Sequence, residues 1–247
     1  MLRIRPAAPL AVFLLCACAD LPQSLVAPPE ASEAKGGGRK GSGGGAISGT
    51  VEDFRTWDDE RWGREFRPAG LGWILPENVA VRGGKLYLSL PAGSLDGGSV
   101  YSTSLHRYGV YEARMRAAAS PGAVSAFFLY GSDGAGNFNE IDIEVVRDRG
   151  QVWFTVWTEV PEAGPYHSTY SQAAELDFDP LAFHVYRISF EEARLRFYVD
   201  DRLYAEFSGD LPRGDMRILA NAWFPWWLYG APSHEGSAAV VDWIRWY

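Results

Sequence analysis

Residues 140–145 alternate strictly between acidic and apolar side chains, and this pattern restricts the fold more than any other segment. The segment reads Glu-Ile-Asp-Ile-Glu-Val. Because side chains two residues apart share one face of a β-strand, Glu140, Asp142 and Glu144 point the same way. The apolar residues between them point the opposite way, into a core. The chain must therefore build a sheet with one apolar face and three carboxyl groups on the other.

Period-two alternation recurs along the chain after Val51. It marks three further segments, residues 85–90, 111–116 and 152–158. Two strand-like runs also flank Asp200-Asp201, a pair that tolerates the left-handed backbone of a hairpin turn. Convincing helical periodicity is absent, and turn residues recur about every 8–12 residues. The pattern predicts an all-β domain built as a sandwich of two antiparallel sheets.

The composition is that of one globular domain outside the nucleic-acid-binding classes. Of 247 residues, 47% are hydrophobic, which is enough for one full-sized core. The formal net charge of −8 gives no attraction to phosphate, so no nucleic-acid partner is expected. Cys16 and Cys18 stand near the N-terminus, and the four histidines lack metal-ligand spacing. We therefore expect no disulfide framework, cysteine nucleophile or zinc site in the domain.

The N-terminal segment has the composition of an export signal. A basic region precedes a short apolar run, residues 10–18, which is too short to span a bilayer. This predicts a signal peptide over residues 1–17. Residues 15–18, Leu-Cys-Ala-Cys, resemble a bacterial lipobox, so we expect Cys18 to be lipidated and to anchor the protein to a bacterial membrane. The alternative is an ordinary signal peptide and a secreted protein.

Residues 18–50 are rich in Gly, Ser and Pro and include Gly-Ser-Gly-Gly-Gly from position 41. Such a segment cannot bury enough apolar surface to order itself, so it predicts a flexible tether. The expected organisation is a lipoprotein-type signal peptide, a tether and one catalytic β-sandwich over residues 51–247. We expect a monomer whose only membrane contact is the lipid anchor.

Three carboxyl groups on one strand face repel one another unless one of them holds a proton. Glycoside hydrolysis explains such a cost, because it needs two carboxyl groups in different protonation states. Along an ideal strand Glu140 and Glu144 lie about 13 Å apart. A retaining enzyme needs its carboxyl groups about 5–5.5 Å apart, so the long side chains would have to lean together. The alternatives are a solvated acidic face and a cation site.

Several segments of the chain, in this order, resemble the strands of one known family. They are Tyr108-Gly-Val-Tyr-Glu-Ala-Arg-Met-Arg, residues 122–130, the acidic segment 139–146, residues 184–190 and Asn221-Ala-Trp223. Together they resemble glycoside hydrolase family 16, the laminarinase, lichenase and xyloglucan-transferase superfamily, over residues 54–247. The resemblance implies a β-jelly-roll of two antiparallel sheets with a concave substrate cleft.

The resemblance also implies a retaining mechanism in which Glu140 is the nucleophile and Glu144 the general acid/base. Asp142 would hold the proton balance between them. One residue separates Asp142 from Glu144, an unbulged spacing that looks more like lichenases and bacterial exopolysaccharide glycanases than laminarinases. No cofactor is required, although Asp242 resembles a position that binds a structural calcium in lichenases. A plain exposed aspartate is the alternative for Asp242.

By the same resemblance, aromatic and small polar side chains would bind the substrate. Flat aromatic faces suit the C–H groups of sugar rings. The expected substrate-binding residues are Phe128, Tyr130, Phe138, Thr155, Trp157, Asn221 and Trp223. For Phe128 and Tyr130, packing in the core is an equally good interpretation.

Taken together, the sequence predicts a retaining endo-β-glycanase, a glycosidase that hydrolyses a polysaccharide. The expected substrate is a β-glucan-like polymer, either mixed-linkage β-1,3-1,4-glucan or a bacterial exopolysaccharide. The alternatives are a transglycosylase that uses the same residues, a non-catalytic lectin-like module and a calcium-dependent envelope protein. The complete acidic set argues against a lectin, because a binding protein gains little from clustered carboxylates.

Overall fold

The computed structural model describes residues 49–132, 135–164 and 166–247. The predicted signal peptide over residues 1–17, Cys18 and nearly all of the predicted tether lie outside these residues. The first strand begins at Thr50, one residue before the predicted start of the domain. Within the described ranges, no helix is long and apolar enough to cross a membrane.

Strands and three single-turn 3-10 helices make up the regular structure of the described residues. The 3-10 helices span Pro76–Asn78, Arg147–Arg149 and Trp226–Leu228. In chain order the strands are β1 (Thr50–Glu52), β2 (Trp62–Arg64), β3 (Arg67–Ala69), β4 (Gly72–Ile74), β5 (Val79–Val81), β6 (Leu86–Leu90), β7 (Gly98–Ser102), β8 (Gly109–Arg116), β9 (Val124–Ser132), β10 (Asn137–Val146), β11 (Gln151–Pro161), β12 (Tyr170–Glu175), β13 (His184–Glu191), β14 (Arg194–Val199), β15 (Arg202–Phe207), β16 (Arg217–Trp223) and β17 (Ser237–Trp246).

Two antiparallel sheets contain all of these strands except β3 and β4, which form a separate hairpin. The eight-stranded sheet has the order β15-β14-β13-β8-β17-β6-β5, with β1 paired to β17. The seven-stranded sheet has the order β12-β11-β10-β9-β16-β7-β2. The acidic strand β10 therefore lies inside its sheet, with β9 on one side and β11 on the other.

The main core lies between the two sheets. Ile141 and Ile143 of β10 pack there together with Phe127 of β9, Phe154 of β11 and residues such as Ile188 of the eight-stranded sheet. All of these side chains are removed from water, which is the main source of stability for such a domain. The two-sheet sandwich and the inward-facing apolar side of β10 are confirmed.

The opposite face of the seven-stranded sheet carries a second buried cluster, rich in aromatic side chains. It includes Phe128, Tyr130, Phe138, Trp157 and Trp223. Successive residues of β9 alternate between the two clusters because strand side chains point alternately to the two faces. The seven-stranded sheet thus carries buried side chains on both sides, and we call its outer side the aromatic face.

The predicted hairpin at Asp200-Asp201 is also confirmed. β14 and β15 pair antiparallel on either side of it. Both aspartates have positive φ, 48° and 65°, the left-handed backbone that a tight hairpin turn requires. Aspartate tolerates this region because its short side chain bonds locally.

Candidate active site

Strand β10 places Glu140, Asp142 and Glu144 side by side on the aromatic face of the seven-stranded sheet. Their exposed fractions are 0%, 2% and 4%, so all three carboxyl groups are almost entirely removed from water. Burying an ionised carboxylate is costly, and a buried carboxyl group tends to keep its proton. The alternative of a solvated acidic face is therefore wrong.

The neighbours of the three carboxylates come from the strands on either side. Each acid lies between one residue of β9 and one residue of β11. Glu140 lies between Tyr130 and Trp157, Asp142 between Phe128 and Thr155, and Glu144 between Ala126 and Trp153. Phe138 stacks on Tyr130 with ring centroids 5.8 Å apart. Phe128 and Tyr130 thus lie on the carboxylate side of the sheet and not in the main core.

Asp142, the middle acid, is held by a hydrogen bond and by its two acidic neighbours. The Trp157 indole Nε1–H donates to Asp142 Oδ2 at 3.1 Å. Burial, followed by the negative charges of Glu140 and Glu144, raises the pKa of Asp142 well above its ordinary value of 3.8. The Trp157 hydrogen bond opposes this by favouring the charged form, while a hydrogen bond with Glu140 favours the protonated form.

Glu144 titrates near neutral pH because it is buried. Burial raises its pKa from 4.5 to about 7. A carboxyl group with this pKa carries a proton in slightly acidic water and can still release it at neutral pH, as a general acid/base must. Two acids two residues apart on this strand therefore have raised pKa values, and an acid that keeps its proton is one of the two carboxyl groups that glycoside hydrolysis needs.

A row of small and polar side chains continues from Glu144 across the sheet. The register from β10 through β9 and β16 to β7 aligns Glu144, Ala126, Asn221 and Ser99. The Oδ1 atom of Asn221 and the Oγ atom of Ser99 are buried and have no hydrogen-bond partner among the described residues, and the same holds for Thr155 Oγ1. Buried polar atoms are seldom left unsatisfied, so these atoms are available to sugar hydroxyls or water.

Further aromatic residues, outside the seven expected substrate-binding residues, stand near Glu144. Trp153 stacks on Trp227 with centroids 4.9 Å apart and planes 12° apart. The Arg149 guanidinium lies over both rings, 5.1 and 5.3 Å from their centroids. Trp153 could have been found from the sequence because it shares a strand face with Trp157. Ser99 could not, because only the register places it beside Asn221.

Trp223 lies at the end of β16, on the same aromatic face. It pairs in register with Val124 of β9 and is buried in the cluster that contains Trp157. The structure thus brings all seven expected substrate-binding residues to the side of the sheet that bears the carboxylates. Five of them lie in that cluster, Asn221 is in register with its member Ala126, and Thr155 is in register with Asp142.

Asp242 is the exception among the expected site residues, since its surroundings do not fit calcium. Its Oδ1 lies 3.1 Å from Lys85 Nζ, and its Oδ2 lies 2.5 Å from a guanidinium nitrogen of Arg114. These two cations lower the pKa of Asp242 against the effect of burial. Both oxygens that would bind a metal already have cationic partners, which a calcium ion would repel.

Within the described part of the chain, no three His, Cys, Asp or Glu side chains are arranged to hold a metal ion. The three acids of β10 are therefore not grouped as a cation site, and the structure gives no support to the calcium-dependent alternative.

Comparisons with known proteins agree with this fold. The family described as glycosyl hydrolases family 16 matches residues 73–245. A beta-glucanase of Bacillus subtilis (strain 168) is 31% identical over 169 residues, which cover 65% of this chain and 67% of that protein. A beta-glucanase of Acetivibrio thermocellus is 30% identical over 211 residues, covering 80% of this chain and 62% of that protein.

Solved structures show the same likeness. The Bacillus licheniformis beta-glucanase superimposes with a TM-score of 0.70 at 25% identity, covering 80% of this chain and 97% of that one. A beta-1,3-1,4-glucanase (lichenase) from a mouse hindgut metagenome has a TM-score of 0.68 at 24% identity, covering 81% of this chain and 99% of that one. At that identity the second likeness concerns the fold alone.

Proposed function

Because the chain belongs to glycosyl hydrolases family 16, we propose that it is an endo-acting glycoside hydrolase of β-glucan-like polysaccharides with a retaining mechanism. The observation that carries this proposal is the buried row of acids on β10, flanked by aromatic side chains. The names of the relatives support a β-glucan as the substrate. Within that class, we propose mixed-linkage β-1,3-1,4-glucan first and bacterial exopolysaccharide second.

The proposed reaction begins with Glu140 as the nucleophile. Its carboxylate attacks the anomeric carbon while protonated Glu144 donates its proton to the glycosidic oxygen, and the bond between carbon and that oxygen breaks. The product half leaves with a new hydroxyl group, and the other half stays as an ester on Glu140. Glu144, now ionised, takes a proton from a water molecule that attacks the same carbon, which frees Glu140 and restores the proton on Glu144.

Asp142 assists by keeping a proton between the two catalytic acids. A protonated Asp142 donates a hydrogen bond to Glu140 and so favours the ionised form of the nucleophile. Trp157, by donating to Asp142 Oδ2, fixes the orientation of that side chain. The carboxyl groups of the chain and one water molecule account for every proton and bond in this scheme, so the proposal requires no cofactor.

The same residues could also transfer the glycosyl group to a sugar instead of to water. Water and a sugar hydroxyl compete to attack the ester on Glu140, and a second sugar in the cleft would favour transfer.

The test of the proposed function is reducing-end release by the full chain from barley mixed-linkage glucan, laminarin, xyloglucan, agarose and acidic exopolysaccharides. Glu140→Gln serves as the inactive control. Release from none of these polymers would refute the glycanase, and labelled acceptor sugars would then reveal a transglycosylase.

We also propose that the protein is exported and held to a bacterial membrane by a lipid on Cys18, with a tether that lets a monomeric domain move over nearby polymer. The leader sequence and the lipobox-like residues 15–18 support this. Cys18→Ser should move the protein from the membrane fraction to the soluble one. If that variant stays with the membrane, the anchor lies elsewhere.

A further inference from the structure

A pair of exposed aromatic side chains stands outside the carboxylate cluster, on the β3–β4 hairpin. Phe66, just before β3, is 65% exposed, and Trp73 in β4 is 45% exposed. The two rings stack with centroids 5.5 Å apart and planes 26° apart. Large apolar side chains that remain exposed and adjacent mark interaction sites more often than scattered ones do. We call this pair the Phe66–Trp73 platform.

The hairpin beneath the platform is firmly built. Glu65 and Arg67, the residues on either side of Phe66, are buried and form an ion pair of 3.5 Å. Ile74 of β4 is fully buried and joins the aromatic face of the seven-stranded sheet. The backbone N–H of Trp73 donates to Asp96 Oδ1 at 2.9 Å. The residues next to the two exposed rings are therefore held by buried side chains, and the backbone of Trp73 is held by its hydrogen bond to Asp96.

The hairpin is docked directly against the candidate active site. The N–H of Leu71 donates to the carbonyl of Phe224 at 2.9 Å. Gly70 has φ +55°, and a Cβ atom there would lie 2.2 Å from the Phe224 carbonyl oxygen and 2.9 Å from the Trp223 ring. Only glycine allows this close approach. The hairpin thus abuts Trp223, one of the expected substrate-binding residues.

The row of small and polar side chains that starts at Glu144 also leads to the β3–β4 hairpin. From Ser99 it reaches Glu65, whose N–H donates to the Ser99 carbonyl at 3.2 Å. With neighbouring strands about 4.8 Å apart, β2 lies about 19 Å from β10, a distance that spans several sugar residues. Phe66 is the next residue after Glu65. A polymer that follows the row away from the carboxylates therefore arrives at the Phe66–Trp73 platform.

We propose that the Phe66–Trp73 platform binds the polysaccharide substrate where it leaves the cleft, several sugars from the bond that is cut. This inference rests on the proposed function. A polymer cut internally is longer than the cleft and must cross its edge, and flat uncharged rings suit the C–H faces of pyranoses. The platform raises affinity for long chains, and an oligosaccharide too short to reach it gains nothing.

The test compares a long and a short substrate on the full chain. The variants are Phe66→Ala, Trp73→Ala, the double variant and the ring-preserving Trp73→Phe. The matched control is Tyr108→Ala, because Tyr108 is also an exposed aromatic, with its ring centroid 5.0 Å from that of Phe190, but it lies just before β8 of the eight-stranded sheet. For barley mixed-linkage glucan we expect KM to rise roughly five- to tenfold in the double variant with kcat unchanged. Trp73→Phe should restore most of the loss.

The short substrate is a chromogenic β-glucan oligosaccharide, on which all variants should match the wild type. Unchanged KM on the polymer, or an equal loss on both substrates, would overturn the proposal. So would a dimer on size exclusion that the double variant abolishes, since the platform would then bind a second copy of the chain. If the wild type cuts neither substrate, the proposed function fails instead. In that case, the migration of the wild type and the same variants through a gel that contains the glucan tests binding by the platform without catalysis.

Discussion

Buried carboxylates occur on both sheets, and their surroundings differ. On the eight-stranded sheet, Glu112 is completely buried, and its two oxygens accept hydrogen bonds from Arg187 and Arg245. On the seven-stranded sheet, Asp142 and Glu144 are buried almost as fully. Within the described residues, however, no ion pair joins either of them to a cation. The charges that act on Asp142 are those of the acids Glu140 and Glu144.

The difference separates a structural acid from reactive ones. Arg187 and Arg245 compensate the charge of Glu112, and their hydrogen bonds to this side chain tie three strands together. Asp142 and Glu144 have only protons to neutralise them, and burial therefore raises their pKa values. That arrangement costs stability, and it leaves Glu144 with a carboxyl group that gains and loses its proton near neutral pH. Perturbed acids in one place are a sign of function and not of folding.

The sharpest test of this contrast is the loss of the proposed nucleophile. Glu140→Gln should lower kcat on a β-glucan by at least about 10³-fold, because a neutral amide cannot form the glycosyl ester. Thermal stability should be equal or higher, since the change removes one acid from a repelling group. Reducing-end release and differential scanning calorimetry measure the two effects. Activity within tenfold of the wild type would refute the assignment.

The next effect is the pH dependence of stability caused by Glu144. Its pKa of about 7 in the folded protein lies above the ordinary 4.5, so the folded state binds more protons between these values. The stabilisation from this group is complete below about pH 4.5 and is lost as the pH rises through about 7. Glu144→Gln should therefore gain about 3 kcal/mol relative to the wild type between pH 4.5 and pH 8.

Urea unfolding of the wild type and of Glu144→Gln across that pH range measures this difference. The wild-type kcat should fall over the same alkaline range because the general acid loses its proton. A stability difference that does not change with pH would mean that Glu144 is ionised throughout, like an ordinary surface acid.

Replacing Glu112 should lower stability and leave activity intact, the opposite of what we expect for Glu144. Glu112→Gln leaves Arg187 and Arg245 close together without their shared carboxylate, and each loses a charge-assisted hydrogen bond. Because both arginines are partly exposed, we expect a loss of about 2 kcal/mol of unfolding free energy at any pH between 6 and 8. The kcat should remain within twofold of the wild type. A large loss of activity at unchanged stability would contradict the assignment of Glu112 as a structural acid.

The sequence predicts the acids of β10 better than it predicts the surroundings of Glu112. The alternation at 140–145 is local, so the face that bears the acids follows from strand geometry alone. The surroundings of Glu112 depend on β13 and β17, strands that are distant in sequence, and on a register that no local pattern contains. Asp242 shows the same limit, because Lys85, just before β6, and Arg114 of β8 both reach it from segments that are distant in sequence. Ser99 and the Phe66–Trp73 platform were likewise beyond prediction without the pairing of the strands.

The smallest expected effect concerns the hydrogen bond from Trp157 to Asp142. Trp157→Phe keeps an aromatic ring but removes the Nε1–H donor, whose bond lowers the pKa of Asp142. We expect the loss of about 1 kcal/mol of stability and roughly a fivefold drop in kcat, because Asp142 is no longer fixed toward Glu140. Trp153→Phe is the matched control, since Trp153 stands on the same strand face and donates instead to Gln151 Oε1 at 2.9 Å. Both variants lose one indole donor, but only Trp157→Phe should move the pH dependence of kcat. Equal pH profiles for the two would mean that Trp157 contributes packing alone, and that the acids of β10 set their protonation without help from the strand beside them.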